Sequence, residues 1–488
     1  MLLITRSRPA DKHQAMTIAR SIVLVATTVA VAAVTTAAAA EVASPAAARP
    51  AAIDWQPCAA EGEAATAQCA TLRLPVDWSE PAGATFDFAI ARRTATDPAA
   101  RVGTLVFGPG GPGDSGVSRV ATGQSRFSPE LRRRFDIVSF DPRGAGKSNP
   151  IVCSPDLVAQ APAPVLTSQA DFDATTAYNR KLRADCRART GPIFDHADTG
   201  STVRDLDALR AALGEHTLSF HGSSYGTMLG ELYAERYPDR VRAVVLESVV
   251  DHSQDTSGFL STQAWALQDA FDAFVGWCDR DTSCALHGRD VRAIWAGLMA
   301  RADAGGLGMS QFDLTATAHG NLSGPNYPRL ASLIADLDAG GTGQPAQLPP
   351  LAKAIFCADW SLPVRDYRQY QRALERAEAE APDVRYSAGV FAVSSCLGQP
   401  QPVANPQHRL RVRTKTPLLL INAAHDPATG LNWVTEVSRQ LGRHGVLLTY
   451  DGAGHGTYTR SACMKQAVDA YLIDLTLPAP GTVCPAGT

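Results

Sequence analysis

Thr217-Leu218-Ser219-Phe220-His221-Gly222-Ser223-Ser224-Tyr225-Gly226-Thr227-Met228-Leu229-Gly230-Glu231-Leu232 lies near the middle of the chain. A short apolar run leads in, an amphipathic stretch leads out, and Gly-x-Ser-x-Gly sits between them. A strand that turns at once into a helix brings backbone against backbone, so small residues must flank the turn. The residue at its tip then stands clear of the strand ends with its hydroxyl exposed. A small-residue turn used only for packing would carry the same letters. The strand before and the helix after favour a nucleophile at Ser224.

A serine hydroxyl needs a base to take its proton and a third group to hold that base. On this kind of sheet the chain order is serine, acid, histidine. The acid is Asp426, just past the buried-strand pattern Pro417-Leu418-Leu419-Leu420-Ile421-Asn422-Ala423 and before Pro427. The base is His455 in Asp451-Gly452-Ala453-Gly454-His455-Gly456, a glycine-rich loop after the strand pattern Gly445–Tyr450. Asp451 is the rival acid. His221 and His425 adjoin the site in sequence and read as structural neighbours.

A tetrahedral oxyanion requires two backbone donors. One is the N–H of Tyr225, after the nucleophile. The other comes from Gly108-Pro109-Gly110-Gly111-Pro112-Gly113-Asp114, which follows the strand pattern Thr104–Phe107, with Gly110 or Gly111 as the donor. Gly144-Ala145-Gly146-Lys147-Ser148 imitates the end of a phosphate loop. The first glycine of that motif is replaced by Asp141, and Pro142 has no N–H to offer. The segment Asp141-Pro142-Arg143-Gly144 instead reads as a brace for the loops around the turn.

Together these motifs resemble the secreted tripeptidyl-aminopeptidase-like branch of the α/β-hydrolases, relatives of prolyl aminopeptidases. Matching pieces are Pro109-Gly110-Gly111-Pro112-Gly113, Asp141 to Ser148, Gly222 to Thr227, Asp426-Pro427, Gly452 to Gly456, and Cys463 with Leu477 to Cys484. They run from about residue 70 to the end, with a gap in the middle. Pro109 stands where prolyl aminopeptidases carry histidine, Gly108 where asparagine is usual, and Asp114 where a small residue is usual. The resemblance implies hydrolysis near a free peptide N-terminus. The motifs themselves indicate a serine hydrolase, so a carboxylesterase or lipase is the alternative. A non-catalytic binding protein on the same scaffold is the more distant one. The expected substrates are short peptides or peptide-like molecules, with catalysis by Ser224, His455 and Asp426 through an acyl-enzyme. A free ammonium group would call for a carboxylate, and Asp114, Glu247, Asp251 and Asp359 all remain open for that role.

The expected fold is α/β, with a mostly parallel central sheet and an inserted, mainly helical lid. Residues 53–250 form the first part of the core, 251–410 the lid and 411–488 the C-terminal part. Strand patterns fall at Thr71–Trp78, Thr85–Arg93, Thr104–Phe107, Phe135–Phe140, Leu218–Phe220, Val241–Leu246, Leu418–Ala423 and Gly445–Tyr450, and a helix at Val203–Leu213. In the lid, Leu267, Phe271, Phe274, Val275 and Cys278 share one helical face. Val291, Ile294, Trp295, Leu298 and Met299 share a second, and Leu330, Leu333, Ile334 and Leu337 a third; all three read as packing stripes.

Residues 1–40 have the basic, apolar and small-residue segments of a secretory signal, with Met16 as an alternative start, and 41–52 read as an Ala/Pro-rich linker. Export to a secreted or periplasmic location is expected, with no stable membrane association once the signal is cleaved. Ten cysteines, all beyond the signal, suit an oxidising compartment, and pairing neighbours in sequence would make five bridges. No Cys/His cluster points to a metal, and no cofactor is expected. The formal charge of −3, with 45 basic and 48 acidic residues, gives no footprint for nucleic acid. The mature chain is too long for one compact core.

Overall fold

Leu105, Val106 and Phe107 point alternately to opposite faces of one strand, and all three are buried. Apolar layers must therefore cover both faces of the sheet, as in a parallel sheet flanked by helices. The computed structural model describes residues 53–58, 66–122, 126–344 and 353–486. The expected signal at 1–40 and linker at 41–52 lie outside the described residues.

The strands are β1 (Gln56–Pro57), β2 (Gln68–Pro75), β3 (Thr85–Arg93), β4 (Gly103–Gly108), β5 (Phe135–Phe140), β6 (Leu218–Ser223), β7 (Val241–Glu247), β8 (Leu418–His425), β9 (Gly445–Ala453) and β10 (Val483–Pro485). They form one sheet in the order β1-β2-β3-β5-β4-β6-β7-β8-β9-β10. The pairs β1/β2, β2/β3 and β3/β5 are antiparallel, and every other pair is parallel. From β4 the chain moves one way to β5, then returns to place β6 on the other side of β4. Such a reversal opens a crevice at the carboxyl ends of the two strands. The loops after β4 and β6 carry the candidate oxyanion donors and Ser224.

On one face, the helices Thr199–Ala212, Gly226–Arg236 and Leu431–Leu441 pack on Val106, Val138, Phe220, Leu246 and Leu420. On the other, Met464, Val468 and Tyr471 of the helix Ala462–Asp474 pack on Leu105, Phe107, Val245 and Leu419. A third apolar cluster belongs largely to the chain between β7 and β8, which among the described residues is helical and contains no strand. There the stripes through Phe271 and Phe274, Trp295 and Leu298, and Leu330 and Ile334 meet in one core. These are the three largest of the buried apolar clusters among the described residues.

Some boundaries differ from the sequence reading. β2 ends at Pro75, which cannot donate to the ladder, and Trp78 lies beyond it with its Nε1–H donated to Asp205 Oδ1 at 2.9 Å. The helix expected from Val203 begins at Thr199, capped by the side chain of Asp198. The edge strands β1 and β10 are too short to show a period. Each adjoins a bridge: Cys69 of β2 bonds Cys58, and Cys484 of β10 bonds Cys463. The other pairs are Cys153–Cys186, Cys278–Cys284 and Cys357–Cys396, so sequence neighbours are joined throughout and no cysteine is free.

Arg143 is buried and forks onto Asp205, with Nε–Oδ2 at 2.7 Å and Nη2–Oδ1 at 2.6 Å. It also donates to the carbonyls of Pro75, Val76 and His196, tying the loop after β5 to the loop after β2. Removing one partner of a buried pair leaves the other charge uncompensated. Arg143→Met is expected to lower stability to urea by about 3–5 kcal/mol; an unshifted unfolding midpoint would contradict this bracing role. Alkylation of the folded, unreduced protein should add no mass, whereas labelled thiols would contradict the five bridges.

Candidate active site

Ser224 adopts φ +55°, a left-handed conformation that non-glycine residues rarely hold. The neighbouring glycines explain how the turn closes. A Cβ on Gly222 would lie 2.4 Å from the Gly226 carbonyl oxygen, and one on Gly226 would lie 2.4 Å from that of Gly108. Gly108 of β4 stands in register with Gly222 of β6, which brings the glycine-rich loop alongside the turn. The Ser224 N–H is donated to the Glu247 carbonyl at 2.8 Å, pinning the turn to the end of β7.

Gly110 is set directly against Ser224: a Cβ there would lie 3.1 Å from the serine Cβ and 3.7 Å from its Oγ. The Cα of Gly111 faces Gly113 and Asp114 instead. Tyr225 is the N-cap of the helix Gly226–Arg236, where amides lack an intrahelical acceptor.

Asp426 follows β8 and is buried. It accepts N–H bonds from Ala428 (2.9 Å) and Thr429 (3.0 Å) and the Thr429 hydroxyl (3.1 Å). Its oxygens lie 3.0 and 2.9 Å from His455 Nδ1. Burial alone would raise the acid's pKa, but the His455 charge and hydrogen bond, with the two amides, hold it below its ordinary value. Burial likewise opposes an imidazolium at His455, yet Asp426 outweighs it and the pKa lies above 6.5. The His455 imidazole stays 24 % exposed. Asp451, the rival acid, is exposed on β9 and makes no bond to His455. His221 is buried against Glu247 at 2.9 Å, and His425 pairs with Asp269 at 2.9 Å.

Asp141 occupies the false phosphate loop. It accepts the Lys147 N–H at 2.7 Å, the Ser115 hydroxyl at 2.6 Å and the Val117 N–H at 3.0 Å. A Cβ on Gly146 would lie 2.1 Å from its Oδ2. A carboxylate thus fills the place an anion would need, and it anchors the helix that follows the glycine-rich loop.

The curated relatives include the serine protease Hip1 of Mycobacterium tuberculosis strain H37Rv, 30 % identical over 88 % of this chain and 91 % of that protein. The tripeptidyl aminopeptidase of Streptomyces lividans is 30 % identical over 89 % of this chain and 87 % of that protein. Carboxylesterase B of Mycobacterium tuberculosis strain H37Rv is 30 % identical over 88 % and 89 %. The profile of the family described as TAP-like protein matches residues 386–484, the stretch that holds Asp426 and His455. This chain belongs to the tripeptidyl-aminopeptidase-like family of α/β-hydrolases.

Two residues of the glycine-rich loop noted in the sequence have defined local settings. At Gly108 a Cβ would fall 2.3 Å from the Phe220 ring, so no larger residue fits without repacking. Asp114 is half exposed and paired with Arg119 at 2.6 Å. The other carboxylates weighed for an ammonium group are committed elsewhere. Asp251 accepts from Ser253 (3.0 Å to its N–H, 2.6 Å to its hydroxyl) and Gln254. Asp359 accepts the Thr199 N–H and hydroxyl, the Asn405 amide and the Tyr225 hydroxyl, the last at 2.6 Å. Glu247 pairs with Arg126 and His221 and accepts the N–H groups of Thr457 (2.6 Å) and Tyr458 (2.8 Å).

Sequence reasoning did not find the groups that hold the His455 loop. Glu247 grips its far side, and the Ser248 hydroxyl accepts the Gly456 N–H at 2.8 Å. From the helical insertion, the Ser323 carbonyl accepts the His455 N–H at 2.8 Å and an Arg460 N–H at 3.3 Å. Arg460 also donates to the Gly456 carbonyl at 2.7 Å. His319, one turn before Ser323, is pushed down to about 4 by burial and the nearby His455 charge. The acid ending the apolar run Val244-Val245-Leu246-Glu247 was the only available signal. Ser323 and Arg460 carried none.

A base must be neutral to accept a proton, so kcat/KM should rise with pH through an inflection above 6.5. Asp426→Asn should move that inflection down and lower kcat by on the order of 10³–10⁴-fold. Retained kcat with an unmoved inflection would mean that another acid holds His455.

Proposed function

We propose that the protein is an exported serine exopeptidase that cleaves short peptides near their free N-termini. The observation that carries this reading is the hydrogen-bonded pair Asp426–His455 on the same sheet end as Ser224 at its strained turn. Ser224 Oγ attacks the scissile carbonyl while His455 Nε2 takes its proton. The resulting oxyanion is held by the Tyr225 N–H and one N–H of the Gly110-Gly111 pair, Gly110 being the nearer to Ser224. Collapse of the adduct expels the amine, which receives the proton from His455 and leaves an ester on Ser224. Water, deprotonated by His455, then releases the acyl group. Asp426 orients the ring and stabilises its cation throughout.

Similarity to the serine protease Hip1 and to the Streptomyces tripeptidyl aminopeptidase supports peptide substrates. The insertion at 251–410 acts as a lid that restricts entry to small or end-bound chains. Residues 1–40 direct export, and five disulfides suit an oxidising compartment. Among the described residues no helix is long and apolar enough to cross a membrane.

Ester hydrolysis is the second reading, because a relative named carboxylesterase B matches over most of the chain and the same triad serves both bonds. Short peptides with free or acetylated N-termini, incubated with the mature protein, separate the two. Release of tripeptides or single residues from free N-termini alone is expected; no cleavage beside brisk p-nitrophenyl ester hydrolysis would make the protein an esterase. Ser224→Ala should lower turnover by about 10⁵–10⁶-fold, and persistent activity in the purified variant would reject Ser224. Failure of the wild-type protein to react with a fluorophosphonate would favour a non-catalytic role.

A further inference from the structure

A cavity of about 770 Å³ opens beside the glycine-rich loop, a size suited to a bound small molecule or short peptide. Its floor includes Gly113 and the loop Gly144–Gly146, and its sides come from the helices Gln169–Thr190, Lys353–Asp359 and Ala388–Ser395. The walls are mainly apolar, with Ile151, Leu182, Phe194 and Phe391 among them. Cys153–Cys186 and Cys357–Cys396 fasten those walls, so the shape is largely preformed.

Two cations line it. Arg183 is occupied, 3.4 Å from Asp195 and stacked on the Phe194 ring at 5.0 Å. Lys353 has no carboxylate partner among the described residues. Its Nζ lies between the rings of Phe391 and Tyr178, 5.2 and 5.8 Å from their centroids. Burial lowers its pKa, as expected for an ammonium group drawn away from water without a counter-charge. One unpaired positive charge in an apolar chamber matches a single negative charge on an apolar body.

The cavity also lies within reach of the reacting atoms. Gly110 stands against Ser224, and Gly113 lies on the cavity wall. Three residues span at most about 11 Å of chain. Ala145 lines the cavity and also belongs to the small buried cluster against which Tyr225 packs.

We infer that this cavity binds the C-terminal end of a short apolar peptide, with Lys353 as the counter-ion of its free carboxylate. The inference rests on the peptidase reading above and deepens it: a substrate held at both ends is restricted in length, and an amide or ester at its C-terminus loses the ion pair.

The test is calorimetric titration of the Ser224→Ala protein, which binds without turnover, using Leu-Leu-Leu-Leu, its C-terminal amide and decanoate. The acid is expected to bind about tenfold tighter than the amide, the range of a partly buried charge pair. Lys353→Met should bring the acid down to the amide, whereas Lys353→Arg should keep the preference. Thermal melts of both variants establish that they are folded. Equal affinity for acid and amide, or a preference that survives in folded Lys353→Met, would overturn the inference. So would Lys353-dependent binding of decanoate with none of the peptide, which would make the site one for fatty acids. Turnover of the same peptides by the wild-type protein reports separately on the peptidase reading. Cleavage with no acid preference would remove the cavity assignment alone; ester hydrolysis without peptide cleavage would remove the peptidase reading itself.

Discussion

The site depends on a close backbone approach that only glycine permits. Gly108, Gly222 and Gly226 meet where β4, β6 and the following helix converge, and a Cβ at any of them would overlap a neighbour at 2.3–2.4 Å. That convergence forces Ser224 into φ +55° and sets Gly110 against it. A strained residue persists only where its surroundings over-determine it. Here the restraint comes from the ladder between β4 and β6 and from the Ser224 N–H bond to β7.

His455, the proposed general base, is held from several elements. Asp426 grips the imidazole from the end of β8. Glu247 and Ser248 hold the loop backbone from the end of β7, the Ser323 carbonyl holds it from the helical insertion, and Arg460 ties the loop to itself and to Ser323. Gly454 fits closely under Pro325, where a Cβ would lie 2.5 Å from the proline ring. The insertion is thus built into the histidine loop. Movement of its helix Gln311–Ser323 would be felt at His455. Asp359 makes a similar link on the other side, joining the insertion to Tyr225.

The buried ionic groups around the site brace its loops. Asp141 fills the apparent phosphate loop, Arg143 and Asp205 lock the loop after β5, and Glu247 serves both the turn and the histidine loop. Each carboxylate meets several donors, as buried charges require. This explains why three of the four acids weighed for an ammonium group are already engaged away from solvent. A count of acids near strand ends could not separate bracing from binding.

Local chemistry made much of this legible in the chain itself. Glycine spacing marked the turn at Ser224, apolar runs marked the parallel strands, and the order serine, acid, histidine picked out Asp426 and His455. These signals are short-range: sterics at a turn and side-chain periodicity in an element need only neighbouring residues. The edge strands β1 and β10 were missed because two or three residues carry no period and are fastened by bridges. Only the tertiary structure decided which donors meet Glu247 and Asp359, that Ser323 and Arg460 clamp the His455 loop, and that Lys353 lies in an apolar chamber with no carboxylate partner among the described residues. Most of those contacts join residues far apart in sequence, as Thr457 with Glu247, Tyr225 with Asp359 and Ser323 with His455 do, a matter of packing that no local pattern records.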